Sequence, residues 1–262
     1  MEWDPGQYLK FDRQRTQPAL DLMARVPSAP AGRTGSNLRI TDLGCGPGTV
    51  TRLLHERWAG AWIMGVDGSG EMLAAARRMP GLDAVEWREA DITKWAPVDP
   101  QHLIFSNAVF HWLDRHDVIL PRLMGALGAR GILAVQMADN HGSPAHRTIF
   151  DLAESRPWKD KIGHLVRRAP VAEPEFYYDL LRPLASEMDI WTTEYLYQLE
   201  GENPVVEWVK GSVLKPFMDA LDEDDRDMFL SEFALKIANL YPAQADGKTL
   251  FRFRRFFIYA VR

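Results

Sequence analysis

The sequence predicts an α/β protein in which helices cover both faces of a doubly wound, mostly parallel sheet. Three observations predict this class. Short apolar segments alternate with segments of helical periodicity between Gln7 and Ala138. A glycine-rich loop, Gly44-Cys45-Gly46-Pro47-Gly48, joins one of these strands to a helix. Asp67 ends the next strand, at the distance along the chain that nucleotide-binding sheets use for a ribose-binding acid.

Each element is assigned from its hydrophobic period and its flanking turn residues. Strands are predicted at 38–43, 63–66, 83–87, 101–106, 131–137, 188–199 and 250–261. Helices are predicted at 17–26, directly after the glycine loop, and at 70–79, 118–127, 145–154, 176–184, 204–210 and 222–240. The regular alternation of strand and helix ends at Asp139, so we expect the later segments to include additions to the sheet domain.

The glycine loop has the properties of a binding site for a nucleotide-like cofactor. Glycines let the backbone turn sharply and approach a ligand, and the first N–H groups of the following helix favour an anionic group. The dinucleotide pattern needs glycines at its first, third and sixth positions, which here are Gly44, Gly46 and Thr49. A nicotinamide oxidoreductase is therefore the least favoured interpretation. The carboxylate of Asp67 offers only acceptor sites, which suits two ribose hydroxyls.

Composition limits the class of protein and its partners. The chain has 262 residues, of which 46% are hydrophobic and 26% charged, as in ordinary globular proteins. It has one cysteine, Cys45, no apolar run of membrane-spanning length and no signal-peptide core at its start, which favours the cytoplasm. The net charge of −5 argues against a nucleic-acid partner, and the seven histidines lack zinc-ligand spacing. The oligomeric state stays open.

Several segments resemble a known family of enzymes. The loop from Asp42 to Gly48 resembles the first motif of class I S-adenosylmethionine-dependent methyltransferases. Other segments, spread over nearly the whole chain, resemble the family of trans-aconitate 2-methyltransferases: Trp3-Asp4-Pro5, Tyr8, Val135-Gln136-Met137-Ala138-Asp139-Asn140, Asp189-Ile190-Trp191 and Phe256-Phe257-Ile258. The chain departs from that family's pattern at His111, where glutamine is expected, and at Thr192, where arginine is expected.

The resemblance implies an architecture and a division of the chain. We expect a Rossmann-like, doubly wound, seven-stranded sheet, mostly parallel with an antiparallel last strand, and a helical cap. Residues 1–140 would form the S-adenosylmethionine-binding core. Residues 141–185 and 200–248 would be helical cap insertions, and 186–199 and 249–262 the closing strands of the core sheet.

The resemblance also implies the site residues. Cofactor-binding positions are Asp42, Gly44, Gly46, Gly48, Asp67, Met72, Asp91, Ile92 and Asn107. In the family, an acid at the place of Asp91 bonds the adenine amino group, the next apolar residue lies against the ring, and a polar residue at the place of Asn107 lies near the methionine part. Candidate substrate-binding residues are Tyr8, Arg15, His111, Trp112, Lys215 and Arg255. Arginine can hold a carboxylate through two parallel hydrogen bonds. Because side chains alternate along a strand, only one of Arg254 and Arg255 can face the pocket.

The implied reaction moves the sulfonium methyl group of S-adenosylmethionine to a carboxylate oxygen of trans-aconitate or a closely related small polycarboxylate. The products are a monomethyl ester and S-adenosylhomocysteine. A carboxylate of ordinary pKa is already ionised at neutral pH, so no catalytic base is expected. Two alternatives remain: another small-molecule or acyl-carrier-bound carboxyl methyltransferase, and a non-catalytic S-adenosylmethionine-binding regulator.

Overall fold

A seven-stranded sheet forms the centre of the computed structural model, which describes residues 12–168 and 170–262. Its strands are β1 (Arg39–Leu43), β2 (Trp62–Asp67), β3 (Glu86–Glu89), β4 (Gln101–Asn107), β5 (Leu127–Ala138), β6 (Glu187–Leu199) and β7 (Thr249–Val261). Across the sheet they lie in the order β3-β2-β1-β4-β5-β7-β6. β7 runs antiparallel to both of its neighbours, and the other adjacent pairs are parallel. The predicted sheet and its antiparallel last strand are confirmed.

Ten α-helices lie in the described residues. They are α1 (Asp12–Arg25), α2 (Thr49–Arg57), α3 (Gly70–Ala76), α4 (His116–Ala126), α5 (Pro144–Ala153), α6 (Lys159–Ile162), α7 (Pro174–Leu181), α8 (Pro204–Lys210), α9 (Lys215–Ala220) and α10 (Glu223–Leu240). None of these helices has both the length and the apolar character that crossing a membrane requires. The short helices α6 and α9 were not predicted, because four and six residues carry too little periodicity to reveal a helix.

Helices pack on both faces of the sheet. On one face α1 and α2 contribute Leu22 and Leu54 to a core that includes Phe105 of β4 and Phe257 of β7. On the other face α4 and α7 pack against the remaining side chains of the same strands, including Phe256 of β7. Because the strand order reverses between β1 and β4, the loops after these two strands diverge to opposite faces. A crevice opens there at the C-terminal edge, which is the usual ligand-binding place in such sheets.

A third core lies beyond that edge and involves the helices that were predicted as a cap. Trp158, Trp208 and Phe229, from three helical segments of the cap, are buried around the outer halves of β6 and β7. The helix α7 belongs elsewhere, because Tyr177 and Leu181 are buried in the core shared with α4 and β7. We therefore propose that α7 be counted with the sheet domain, and that the cap consists of the helices from α5 to α6 and from α8 to α10.

The edge strand β3 begins three residues later than expected from the sequence. Hydrophobicity predicted residues 83–87, whereas the strand spans Glu86–Glu89. Its residues are mostly exposed, so burial does not select its register. The parallel pairing with β2, which places Glu89 opposite Asp67, sets the register instead.

Candidate functional site

The glycine loop after β1 needs glycine at two positions for different reasons. Gly44 has a φ of +81°, and a Cβ atom there would lie 2.1 Å from the side chain of Val109. Gly46 has a φ of +53°, and a Cβ there would meet no atom within 4 Å, because its Cα faces the open crevice. The first glycine therefore allows two loops to pack closely, whereas the second leaves the backbone open to a ligand.

Asp67, the last residue of β2, is held by backbone groups of the loops around it. Its Oδ2 accepts a hydrogen bond from the N–H of Gly46 at 2.8 Å, and its Oδ1 accepts one from the N–H of Ser69 at 2.9 Å. Burial raises the pKa of this carboxyl group, and the backbone hydrogen bonds partly oppose the rise. A carboxylate has about four lone-pair sites, so each oxygen can still accept a hydroxyl group from the crevice.

A cavity of about 540 Å³ extends from the glycine loop to the cap. It brings together nine of the residues predicted from the sequence: Gly44, Gly46, Asp67, Met72, Ile92, Asn107, His111, Trp112 and Arg255. Its remaining walls come mainly from the loop after β5 and from the cap, including Trp208 and Pro216. Asp67 is the one carboxylate among the described lining residues, and it lies at the glycine-loop end.

Two predicted cofactor residues of the loop region lie beneath the cavity instead of lining it. Asp42 is 1% exposed, and its Oδ2 accepts a hydrogen bond from the hydroxyl of Thr51 at 2.6 Å. Burial raises the pKa of Asp42 to about 7, opposed by the bond from Thr51 and increased by the charge of Asp67. Gly48 is the N-cap of α2 with a φ of +88°. Both residues therefore support the conformation of the glycine loop and do not line the cavity.

Two other predicted residues do not line the cavity and have partners elsewhere. Asp91 is largely exposed, and its Oδ1 accepts bonds from both the N–H and the hydroxyl of Thr93. Lys215 forms an ion pair with Asp219 one helical turn later, at 3.0 Å. Of the two residues predicted near the N-terminus, Tyr8 lies outside the described residues. The side chain of Arg15 is likewise outside the described part of the chain.

The lining residues that were not predicted as site residues include three with polar or charged side chains close to the predicted substrate end: His141, His146 and Arg167. The two histidines follow the C-terminal end of β5, where the sheet binds ligands, so their position along the chain was an available signal. Their rings lie 5.3 Å apart. Arg167 comes from the cap, where no sequence pattern indicated contact with the sheet. Its guanidinium donates to the carbonyl of Trp112 at 3.0 Å and pairs with Asp114.

Three histidines of the cavity, His111, His141 and His146, are neutral at physiological pH because burial lowers their pKa values. Burial, reinforced by the charge of Arg167, lowers the pKa of His141 to about 4. Burial, reinforced by His141, lowers that of His146 to about 3. The pKa of His111 is also well below its usual value, because of burial and then of His141 and Arg255. The Nδ1 of His111 accepts the N–H of Ala138 at 3.3 Å, so its proton is on Nε2 and the ring can donate a hydrogen bond.

Arg255 on β7 is a buried cation in the wall of this cavity. It is 4% exposed, its guanidinium lies 4.3 Å from the ring centroid of Phe253, and its Nε is buried without a hydrogen-bond partner. Within residues 12–168 and 170–262 it forms no ion pair with a carboxylate. The neighbouring Arg254 lies on the opposite side of the strand, is about half exposed, and pairs with Asp139 at 2.9 Å. The expected alternation of the two arginines is confirmed.

Comparison of the sequence with known proteins gives similarity over the entire chain. A family model described as a methyltransferase domain matches residues 40–131. The trans-aconitate 2-methyltransferase of Rhodopseudomonas palustris (strain BisB18) is 43% identical, over 100% of this chain and 99% of its own. That of Azoarcus sp. (strain BH72) is 43% identical over 99% of both chains. That of Rhizobium rhizogenes (strain K84) is 42% identical over 100% of both.

Solved structures share the fold at much lower identity. Phosphoethanolamine N-methyltransferase 2 of Haemonchus contortus aligns with a TM-score of 0.54 and 17% identity, over 93% of this chain and 52% of that one. The YcgJ protein of Bacillus subtilis aligns with a TM-score of 0.59 and 12% identity, over 94% of this chain and 98% of that one. Both alignments extend over most of this chain and show a shared fold.

Proposed function

The chain belongs to the trans-aconitate 2-methyltransferase family, and we propose that it transfers the methyl group of S-adenosylmethionine to a carboxylate of trans-aconitate or a closely related small polycarboxylate. The product would be a monomethyl ester. We propose further that it acts in the cytoplasm, without a metal or nucleic-acid partner, as its composition favours.

Arg255 is the observation that carries the substrate proposal. A buried guanidinium without a carboxylate partner in the described residues is costly to keep in a fold. Arg255 lines the same cavity as the glycine loop. A substrate carboxylate beside the cofactor site can therefore accept hydrogen bonds from its guanidinium and neutralise its charge. Arg167, which is paired with Asp114, also lines the cavity wall, and His111 adds a neutral donor. This set of groups suits a small acid with more than one carboxylate.

The residues at the other end of the cavity fit the cofactor. Gly46 leaves its backbone open to the crevice, which allows close approach of the methionine part of the cofactor. Asp67 has acceptor sites for the two ribose hydroxyls, and Met72 and Ile92 provide apolar surface for the adenine ring. The Oδ1 of Asn107 is buried at the cavity without a partner in the described chain, and it can accept a bond from the cofactor's ammonium group.

The reaction requires the protein to align the two reactants and to exclude water, and it requires no proton transfer by a side chain. When bound, the cofactor supplies a methyl group on a positively charged sulfur. A substrate carboxylate is ionised at neutral pH, so no side chain has to remove a proton from it. The lowered pKa values of His141 and His146 keep both rings uncharged in this wall. Holding two reactants in line can lower a barrier by roughly 7–11 kcal/mol.

A panel of acids tests the proposal. Purified protein with S-adenosylmethionine is offered trans-aconitate, cis-aconitate, citrate, isocitrate and a monocarboxylate, and S-adenosylhomocysteine formation is followed. We expect the highest kcat/KM for trans-aconitate and the lowest for the monocarboxylate, because only a polyacid uses the anchoring cations as well as the transfer position. Cofactor binding without turnover on any acid would instead favour a carrier-bound substrate or a regulatory protein.

A further inference from the structure

His146, in the first turn of α5, lines the cavity with a neutral ring whose tautomer is set by the fold. The side chain is 4% exposed, and burial lowers its pKa to about 3, so the ring carries a single proton at neutral pH. One ring nitrogen then donates a hydrogen bond and the other accepts one. The Nδ1 atom lies 3.0 Å from the hydroxyl oxygen of Ser143, and the direction of that hydrogen bond decides which nitrogen donates.

The direction follows from a path of hydrogen bonds that begins at a backbone N–H on β7. The N–H of Arg254 donates to Oδ1 of Asn140 at 3.2 Å. This bond orients the amide of Asn140, whose Nδ2 donates to the hydroxyl oxygen of Ser143 at 3.2 Å. A backbone N–H and an amide NH2 group can only donate, so the direction of both bonds is fixed.

The hydroxyl of Ser143 has only its proton left for the ring of His146. Its oxygen accepts from Asn140 and also from the backbone N–H of His146 at 3.4 Å, which is the N-cap bond of α5. A hydroxyl has two acceptor sites and one proton, so the contact with Nδ1 is made by the hydroxyl proton. The phenol of Tyr241 also lies near this hydroxyl, and it does not change the count, because both acceptor sites stay occupied. His146 therefore accepts at Nδ1 and carries its own proton on Nε2.

The ring of His146 lies at the substrate end of the cavity, in the same wall as Arg255. It meets the ring of Phe253 edge to face, with 6.3 Å between the ring centroids, and the guanidinium of Arg255 lies 4.3 Å from the centroid of that same phenylalanine. Both side chains also lower the pKa of His111, so the three groups are neighbours. Within residues 12–168 and 170–262, the Nε2 of His146 has no hydrogen-bond partner.

We infer that His146 is a substrate-binding residue whose Nε2–H, oriented through Asn140 and Ser143, donates a hydrogen bond to an oxygen of the acid that Arg255 anchors. The inference rests on the proposed function for the identity of the acid, whereas the tautomer does not depend on it. Asn140 and Ser143 act through His146 and are positioning residues. A neutral donor adds no charge to the wall, so His146 would recognise where an oxygen of the acid lies and Arg255 would recognise its charge.

Two substitutions of His146 separate the roles of its two nitrogens. The amide of asparagine reaches only the place of Nδ1, so His146→Asn keeps a partner for Ser143 and loses the donor to the cavity. The amide of glutamine reaches the place of Nε2, so His146→Gln keeps a donor there. His102→Asn is the matched control, because the Nδ1 of His102 also accepts, from the N–H of Arg39 at 2.9 Å, at the end of β4 away from the cavity.

The kinetic constants for trans-aconitate and the Kd for S-adenosylhomocysteine are measured for each protein. His146→Asn should raise the KM about tenfold, as expected for loss of one hydrogen bond to a charged group. Its kcat and Kd should stay near those of wild type, because the contact is made with the acid in both the ground state and the transition state. His146→Gln should return the KM to within about threefold of wild type, and His102→Asn should leave all three constants unchanged.

Nitrogen-15 NMR of the histidine rings reads the tautomer without any substrate. The signal of His146 is assigned by its loss in His146→Asn, and in wild type it should show the proton on Nε2. Ser143→Ala removes the hydroxyl that sets the tautomer, so it should give a mixture of the two forms and a higher KM. If His146→Asn does not fold, Ser143→Ala and His146→Gln provide the comparison.

The inference is overturned by a wild-type ring that carries its proton on Nδ1, whatever the substrate. It is also overturned by a wild-type KM in His146→Asn, or by equal rises in KM in His146→Asn and His146→Gln, which would indicate a packing role. If wild type methylates no acid, the proposed function fails separately, and calorimetry of trans-aconitate with S-adenosylhomocysteine present then tests His146. Binding that is about tenfold weaker in His146→Asn would support the inference, and equal binding or none in wild type would overturn it.

Discussion

Replacement of Arg255 by methionine should weaken substrate binding and stabilise the ligand-free protein at the same time. The buried guanidinium has no ion-pair partner in the described residues, so the ligand-free fold bears the cost of its burial. Methionine keeps an unbranched side chain of similar length and removes the charge. A residue that serves only the fold would show the opposite behaviour, because its removal would lower stability.

The magnitudes follow from the buried position of Arg255. Removing one partner of a buried, hydrogen-bonded charge pair costs about 2–5 kcal/mol, which corresponds to a rise in KM of about 30-fold to 5,000-fold. The kcat should change far less, because an anchoring carboxylate is bound similarly in the ground state and the transition state. Relief of the buried charge by about 1 kcal/mol would raise the melting temperature by roughly 2–4 °C in a chain of this size.

Steady-state kinetics with trans-aconitate and thermal unfolding without ligands provide the two readouts. Arg254→Met is the matched control, because Arg254 is adjacent, carries the same charge and pairs with Asp139 on the exposed side. The control should keep the wild-type KM within about twofold, since exposed ion pairs contribute little. A KM for Arg255→Met close to that of wild type, or an equal rise in both variants, would refute the assignment of Arg255 as the anchor.

The remaining predictions concern the glycine loop, the ribose acid and the dependence of stability on pH. Gly44→Ala should destabilise the protein by several kcal/mol in urea unfolding, because its Cβ would lie 2.1 Å from the side chain of Val109. Gly81 has a similar φ of +80° but open space around it, so Gly81→Ala should lower the free energy of unfolding only by the ~1–2 kcal/mol that a positive φ costs alanine. Asp67→Ala should weaken S-adenosylmethionine binding at least about tenfold by calorimetry, and normal binding would exclude it from the cofactor site. The pKa values of His141 and His146 are lowered in the folded state, so the unfolded protein binds more protons than the folded protein below pH 6.5. The contribution of these two histidines to the stability of the fold is therefore complete above pH 6.5. It is lost as the pH falls towards their folded-state pKa values of about 4 and about 3. Protonation of Asp42, whose pKa is raised to about 7, acts in the opposite direction over the same range. The midpoint of urea unfolding should therefore fall less, or rise more, between about pH 7 and about pH 4.5 in a His141→Phe/His146→Phe variant than in wild type, and equal changes in the two proteins would contradict the prediction.

The sequence was informative wherever chemistry follows from local pattern. Gly44, Gly46 and Asp67 lie within one strand–loop–helix–strand unit, so their spacing alone predicted that they would meet. Arg255 could be separated from Arg254 by the alternation of a strand, once a strand was predicted there. The seven-stranded sheet and its antiparallel last strand were predicted from the resemblance, and the strand order was not predicted, because no local signal records which strands pair.

The rest of the site depends on tertiary contacts that local patterns do not encode. Arg167 reaches the cavity because the cap packs across the strand ends, and its contact with Trp112 joins residues 55 positions apart. Lys215 was a reasonable candidate by charge, but an acid one turn later on the same helix binds its ammonium group. His141 and His146 were dismissed for lacking metal spacing, although neutral histidines can serve as hydrogen-bonding groups at any spacing.

The most direct measurement is the transfer of an isotopically labelled methyl group. Protein, S-adenosylmethionine labelled with carbon-13 in its methyl group, and trans-aconitate are incubated together, and the products are followed by carbon NMR and mass spectrometry. The proposed function predicts one methoxy signal from a single monomethyl ester, and release of the label as methanol under mild alkali. Label that stays on the cofactor, or that enters a product stable to alkali, would contradict carboxyl methylation of trans-aconitate.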